Sequence, residues 1–577
     1  MTAELVEAAV RAGRSFAGQK LNDIDLRGRN LAGADFTGAQ FLKTRLDGAN
    51  LAGARLDGAT GIGFRAAGAN LEGCSLKGAQ LVMADLGGAR LVNADLTGTK
   101  LPQANLVGAD LSGARLGGAV FIKAALSGAN LRGKNLEGTR FDMAKLDGAD
   151  LGATKLKGAT FVEADLSGAK FDGATIEGTA FLGAKLARAD FTNAELLGVT
   201  LAKADLRGAK LPRKVSRALF DGAILSDTDL KGATVHGSDL EGRDLSRVDL
   251  SGADLRGSSL QGTNLRGANL RGARLERCIL SKCDLTGADL TGAILTACIL
   301  SEAVMQGADL SGRDLAMLVL TKADLRGANL AGARIDRCVL DEANLGGVNL
   351  TRAMLKGVTL RKATVEGMTI DKATFTSVDF SGVDLKKLRL RGITMHRCLF
   401  KGADMTGMDL SGGDFTDCNF IEANLCKAFL EGTILHRAKF MAAKLQDANL
   451  HEANAKAAFF GDAALDGARL TKAKLRSATF TGATLPKANF AGSDLREAVF
   501  VHAKARGAIF AGAKLDYADL SHADVEGADF REASLAHANL HAIRDEHAHF
   551  AGAGMTGARP TDLDRLQAEV WLPRTNV

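Results

Sequence analysis

The sequence predicts a repeat solenoid with four sides per turn, and three observations carry that expectation. A unit Ala-(Asp/Asn)-Leu-x-Gly recurs every fifth position from about residue 16 to 556, as in Asn50-Leu51-Ala52-Gly53-Ala54 and Ala109-Asp110-Leu111-Ser112-Gly113. Phenylalanine recurs at every fourth unit: at Phe121, Phe141, Phe161 and Phe181, from Phe380 through Phe400, Phe420, Phe440, Phe460 and Phe480 to Phe500, and on another face at Phe490, Phe510, Phe530 and Phe550. The composition is one small vocabulary reused throughout, with 68 Gly but only 5 Pro, 1 Trp and 1 Tyr in 577 residues. Self-similarity at a fixed period marks a repeat architecture. The short period gives no reason for one four times longer unless four units close a turn and stack equivalent rings.

Each unit has a centre (Leu or Phe), a small residue two positions before it and a polar residue between them. Centres fall at Phe16, Leu21, Leu26, Leu31 and every fifth position to Leu211, then at Val215, Phe220, Leu225 and every fifth position to Met555. The register slips by a single position between Pro212 and Ala218. These residues resemble the pentapeptide-repeat family, whose pattern A(D/N)LxX they match over nearly the whole chain. The resemblance implies an all-β solenoid: a right-handed quadrilateral β-helix with four pentapeptide repeats per coil, centre and small site inward and the rest outward. The expected division is a helical cap over 1–14, a first register over 15–211, a break over 212–219, a second register over 220–556 and a capping or association segment over 557–577. At the break, Arg213, Lys214 and Arg217 would form a kink or a basic loop within one continuous solenoid.

Open coil ends are the weak points of a solenoid, and both termini carry helix signals. Thr2 is placed to cap a helix with Leu5, Val6, Ala9 and Val10 on one face, stopped by Gly13. Thr561 is placed to cap a turn or two carrying Leu563, Leu566, Val570 and Trp571. That second segment either covers the coil end or, as in family members that dimerise there, joins two copies into a homodimer.

Lys+Arg exceed Asp+Glu by 73 − 67 = +6. A nucleic-acid binder would show a concentrated basic excess and an imitator of DNA a large acidic one, so direct nucleic-acid binding is not expected. No segment approaches the ~18 apolar residues of a membrane span, and the first residues lack a signal-like apolar run. The expected location is cytoplasmic, which is compatible with export by a route that needs no cleavable signal.

Residues with reactive chemistry mostly fall into the repeat register. Cys74, Cys278, Cys283, Cys298, Cys338, Cys398 and Cys418 occupy the small inward site, where a thiol packs as a small apolar group; Cys426 alone lies elsewhere. His502 and His522 fall on one outward column with His541 nearby, a spacing at which imidazoles could share a divalent ion, although a plain surface role is the expectation. Asp and Asn recur at the polar site, where a short side chain bonds the adjacent turn. Arg29, Lys134, Arg243 and Arg313 sit at small sites and are expected to snorkel outward, since an isolated buried charge is expensive. No phosphate loop, nucleophile elbow or His-Glu-x-x-His motif occurs. No catalytic residue, metal site or cofactor is therefore assigned.

One outward column departs from the Asp/Asn pattern. It carries Ile279, Ile299, Val319 and Val339, with Leu399, Phe459 and Val499 further on. Exposed apolar side chains in a file suggest a protein partner, against the alternative that β-branched residues suit a flat sheet face. The expected function is a non-enzymatic, rigid rod-like scaffold for protein–protein interaction. Two alternatives follow from the family resemblance: an accessory component or delivered protein of a bacterial secretion system, and a DNA-mimicking topoisomerase modulator, which the net charge disfavours.

Overall fold

In the computed structural model, residues 2–225 and 227–570 are described, and the chain divides into two compact units, Met1–Ile299 and Leu300–Val577. Each is a β-solenoid of parallel pairings. The repeat at 50–54 shows how it is built. The Leu51 N–H donates to the Asn70 carbonyl of the next coil at 2.7 Å, the Gly53 N–H to Glu72 at 2.8 Å, and the Asn50 N–H to Arg29 of the previous coil at 2.9 Å. The Ala54 N–H closes a turn on the Leu51 carbonyl at 3.0 Å. The second unit repeats the scheme: Leu430 bonds Asn449 at 2.7 Å and Asn449 bonds Ala428 at 2.9 Å. Polar sites pair with their equivalents four repeats away, as in Asn30↔Asn50 and Asn50↔Asn70, so one coil is four repeats.

The turn explains the glycine. Its third residue lies in the left-handed region, as at Gly53 with φ 67°, the conformation a type II turn demands there. Asp23, with φ 55°, and Met83, with φ 56°, keep the same backbone without glycine, whereas the turn at Leu385–Lys387 closes as a 3-10 helix instead.

Most pairings involve single residues, and longer strands form where a turn is more extended. In the first unit β1 (Gln40–Leu42), β2 (Thr60–Ile62) and β3 (Gln80–Val82) make one parallel sheet, and β4 (Thr175–Glu177), β5 (Glu195–Leu197), β6 (Lys214–Ser216) and β7 (Thr234–His236) another. In the second unit β8 (Asp314–Ala316), β9 (Arg334–Asp336), β10 (Met354–Lys356), β11 (Thr374–Thr376) and β12 (Thr394–His396) form a five-stranded sheet. The register slip falls within the first unit and is absorbed there. β5 pairs β6 as Leu196↔Val215, one position short of a full coil, and β6 returns to the full spacing in Val215↔Val235. One side of one coil is therefore shorter by a single residue, and nothing is extruded as a loop.

The core is the lumen of each solenoid, filled by centres and small sites. The predicted phenylalanine files stack. Phe121, Phe141, Phe161 and Phe181 lie 5.0–5.2 Å apart with ring planes within 10°. In the second unit, successive rings from Phe380 to Phe500 are 4.7–5.3 Å apart. The Phe490 file meets this one edge-on, Phe480 and Phe490 lying 5.6 Å apart at 88°. Both parallel and edge-on contacts fit the ring quadrupole.

Two helices flank the repeats. In α1 (Ala3–Arg11), Thr2 accepts from the Leu5 N–H at 3.5 Å. Val6 is buried, whereas Leu5, expected on the same packed face, is 63% exposed. Polar contacts supply the rest of the attachment: Arg29 reaches out of its small site to Glu4 at 2.7 Å and Glu7 at 3.3 Å. At α2 (Leu563–Val570) the capping residue differs from the sequence expectation. Asp562, not Thr561, accepts from the Arg565 N–H at 3.1 Å, while Thr561 Oγ1 accepts from the Ala542 N–H at 3.1 Å. Among the described residues, no helix is long and apolar enough to cross a membrane.

Candidate interaction surface

The polar-site columns decide what each outward face offers. In most positions a carboxylate or amide folds onto its own turn: Asp249 Oδ1 accepts from the Ser251 N–H at 2.9 Å, and Asn269 Nδ2 donates back to Asp249 Oδ1 at 3.0 Å. Hydrogen bonds from Ser251 hold the Asp249 carboxyl below its ordinary range. A file of this kind, such as Asp309, Asn329 and Asn349, satisfies its own hydrogen bonds.

A recurring Asp-Leu-Arg string adds a second self-contained contact. The second turn residue lies beside the polar-site Asp two positions before it, so Arg326 reaches Asp324 with Nε at 2.9 Å and Nη2 at 2.7 Å. This holds the Asp324 carboxyl down at about 2. The same fork joins Arg27 to Asp25, Arg207 to Asp205, Arg256 to Asp254 and Arg496 to Asp494. The spacing is visible in the sequence as the recurring Asp-Leu-Arg string.

The apolar column lacks these partners. In the first unit Ile279 pairs with Ile299, and their side chains point outward at 38% and 40% exposure. In the second unit Val319 pairs with Val339 and Val339 with Thr359, both valines half-buried. Leu399, 40% exposed, is separated from them by Asp379. The file is thus apolar in short stretches, with Asp379, Asn419 and Lys439 between.

Cysteine behaves as part of the wall. Cys278 Sγ donates to the Leu255 carbonyl at 2.9 Å and Cys298 Sγ to Leu275 at 2.8 Å, as the small-site Thr99 and Thr263 hydroxyls do to Leu76 and Leu240. Burial pushes the thiols of Cys74, Cys278, Cys283 and Cys298 up to about 12 and that of Cys338 to about 11. Cys426 is half-buried, with Sγ 3.1 Å from Gln446 Oε1. The basic residues at small sites reach polar groups: Lys134 Nζ donates to the Ala114 carbonyl at 3.1 Å, and Arg243 lies 3.5 Å from Asp221. At the slip, Lys210 faces Asp190 at 3.6 Å and Lys214 faces Glu195 at 2.5 Å, and Glu195, Lys210, Arg213 and Lys214 line a recess.

His502 and His522 stack with ring centroids 4.9 Å apart, and His541 lies edge-on to His522 at 5.4 Å. Sequence reasoning missed the third element there, Glu569 of α2. Its Oε2 is 3.2 Å from Nε2 of both His522 and His541. Of the terminal association residues, Leu563 is 69% exposed and Leu566 half-buried. The Val570 side chain and Trp571 lie outside the described residues.

The sequence pattern of the family described as Pentapeptide repeats matches residues 16–60, 62–212, 214–242, 244–369, 379–417 and 513–544. The Pentapeptide repeat region pattern matches 433–508. No curated protein matches the chain significantly. Among solved structures, HetL, a pentapeptide repeat protein involved in heterocyst differentiation regulation from the cyanobacterium Nostoc sp. strain PCC 7120, is 27% identical. That match covers 52% of this chain and 97% of HetL, with a TM-score of 0.17. QnrB1, a plasmid-mediated fluoroquinolone resistance protein, is 19% identical over 37% of this chain and 90% of its own, with a TM-score of 0.17. A pentapeptide repeat protein from the Arabidopsis thaliana thylakoid lumen is 26% identical over 24% of this chain and 67% of its own, with a TM-score of 0.10. The five-membered unit, its left-handed turn, the pairing of every fourth repeat and the matched patterns agree, and the chain belongs to the pentapeptide-repeat family.

Proposed function

We propose that this chain is a non-enzymatic scaffold that binds partner proteins along its outward faces, with the apolar stretch of each unit, Ile279 and Ile299 in the first and Val319 and Val339 in the second, as a first contact. The supporting observation is that apolar residues follow one another here, Ile279 on Ile299 and Val319 on Val339, whereas the exposed Phe429 of another column lies between Asp409 and Asn449. Asp and Asn elsewhere spend their hydrogen bonds on their own turns, whereas Ile279, Ile299, Val319, Val339 and Leu399 hold apolar surface toward solvent. Exposed apolar surface gains free energy when another protein covers it. A filled lumen offers area and spacing rather than a reaction chamber. A cytoplasmic location fits this reading.

Imitation of duplex DNA is the weaker reading. It needs unpaired acidic surface, and here Asp25, Asp205, Asp254, Asp324 and Asp494 are each neutralised by an arginine two positions away. The test is a quantitative affinity purification of the intact chain beside a variant with Ile279→Ser, Ile299→Asn, Val319→Ser and Val339→Asn, all at outward positions. Loss of specific partners from the variant is expected; an unchanged partner set would remove the apolar file from the interface. A gyrase supercoiling assay should show no effect of the intact chain.

A further inference from the structure

We propose that His522, His541 and Glu569 form a divalent-metal site that fastens α2 to the coil wall, with a ligand set suited to zinc. The three residues come from different layers. Leu520 and Leu540 are centres of successive coils; His522 takes the third turn position of one and His541 the second turn position of the next, linked by the His522 N–H to the His541 carbonyl at 2.9 Å. Glu569 comes down from α2. Its Oε2 lies 3.2 Å from each Nε2, and the three ligand atoms fall within 4.8 Å of one another.

Two of those three separations suit an ion as they stand, and the half-buried His522 ring has room to bring its nitrogen to the third. Zinc bonds of about 2.0–2.2 Å to imidazole nitrogen and carboxylate oxygen, arranged tetrahedrally, put ligand atoms about 3.3–3.5 Å apart. The two nitrogen–oxygen distances are already near that edge. Two imidazoles and one carboxylate leave a fourth position for water. The second shell is partly in place: Arg565 Nε donates to Glu569 Oε1 at 2.7 Å, which orients the carboxylate and leaves Oε2 for the ion. His541 is 2% exposed, so one ligand is fixed by packing.

Loading has a defined proton balance. Without metal, His541 Nδ1 accepts from the Asp562 N–H at 3.1 Å, so its proton is on Nε2, directed at Glu569. The ion takes the Nε2 lone pairs, and each imidazole keeps its proton by carrying it on Nδ1. No proton is released. At His541 the new Nδ1–H and the Asp562 N–H are then two donors face to face, so the first residue of the α2 cap must draw back far enough for one water to accept from both. Metal loading should therefore protect α2 while exposing one backbone amide at its start.

The test uses the full chain without an affinity tag, stripped with chelator and titrated with zinc chloride by calorimetry, with cobalt(II) absorption reporting tetrahedral coordination. One zinc per chain is expected. His522→Ala, a half-exposed side chain, and Glu569→Gln, on the helix, should each weaken uptake at least about tenfold. His537→Ala, whose ring stacks on Tyr517 instead, should leave uptake unchanged. Hydrogen exchange of the intact chain should slow across Leu566–Glu569 and quicken at the Asp562 amide on adding zinc. Absence of stoichiometric zinc, equal uptake by both variants, or no exchange response in α2 would overturn the site. If His522→Ala fails to fold, Glu569→Gln and the exchange measurement decide it alone.

Discussion

The third residue of a turn has a left-handed backbone at glycine and non-glycine positions alike, as at Gly53 and Met83, the 3-10 turn Leu385–Lys387 excepted, so the cost of a side chain there is readable one position at a time. Gly53 has φ 67°, and a Cβ placed on it would meet nothing within 4 Å. Gly53→Ala should therefore destabilise through the backbone alone, by about 1 kcal/mol, seen as a lower denaturant midpoint; no change would show that the turn relaxes to another conformation. The thiols give a second residue-level expectation. Seven are buried, five of them with ionisation pushed up to about 11 or 12. Thiolate is the reactive form. In native protein at neutral pH, a thiol reagent should modify Cys426 first and the others only on unfolding. Rapid native labelling of Cys278 or Cys298 would contradict the packed wall.

At the scale of the element, the ladder of rings is what the sequence made most legible. Equivalent side chains one coil apart face the same lumen, and one large inward residue imposes its size on the next coil. The polar site was legible for the same reason, because a short acceptor two positions before a turn amide has one obvious partner. The Asp-Leu-Arg forks were legible in principle, since the second turn residue already lies beside the aspartate that its amide bonds. The Glu569 contact was not. It joins a helix to His522, on a coil much earlier in the chain, and no periodicity connects them. At α1, too, a contact that no periodicity announces carries part of the attachment, since Arg29 pairs with Glu4 and Glu7 of that helix.

Within the ladder, Phe440 lies 4.9 Å from both Phe420 and Phe460 and is fully buried. Phe440→Ala should cost about 3–5 kcal/mol. Because each coil contacts only its neighbours, faster hydrogen exchange is expected around residues 420–460 but not at Phe121–Phe181. Uniform acceleration would mean that the unfolding unit extends beyond neighbouring coils.

At the scale of the whole molecule, the dominant electrostatic feature is the number of carboxylates used as hydrogen-bond acceptors by their own turns and arginines. Each exposed ion pair contributes little alone, but their ionisations shift in one direction. Asp25, Asp324 and Asp404 are held down at about 2 by Arg27, Arg326 and Lys386, respectively. Asp244, Asp249, Asp289 and Asp309 are lowered by serine or threonine on the adjoining turn. In the unfolded chain an aspartate titrates near its ordinary value of about 3.9. A carboxyl with a lower value in the fold contributes stability that is fully present above about pH 4 and is lost as pH falls toward about 2. Unfolding in that interval takes up protons, so the melting temperature should fall steeply from about pH 4 to about pH 2. Acid and salt should act differently on the two contact types: salt screens the arginine forks and leaves the bonds to serine and threonine nearly untouched. A melting temperature indifferent to pH across that interval would show that the outward carboxylates are free in solution, and the contrast between self-satisfied columns and the apolar file would go with them.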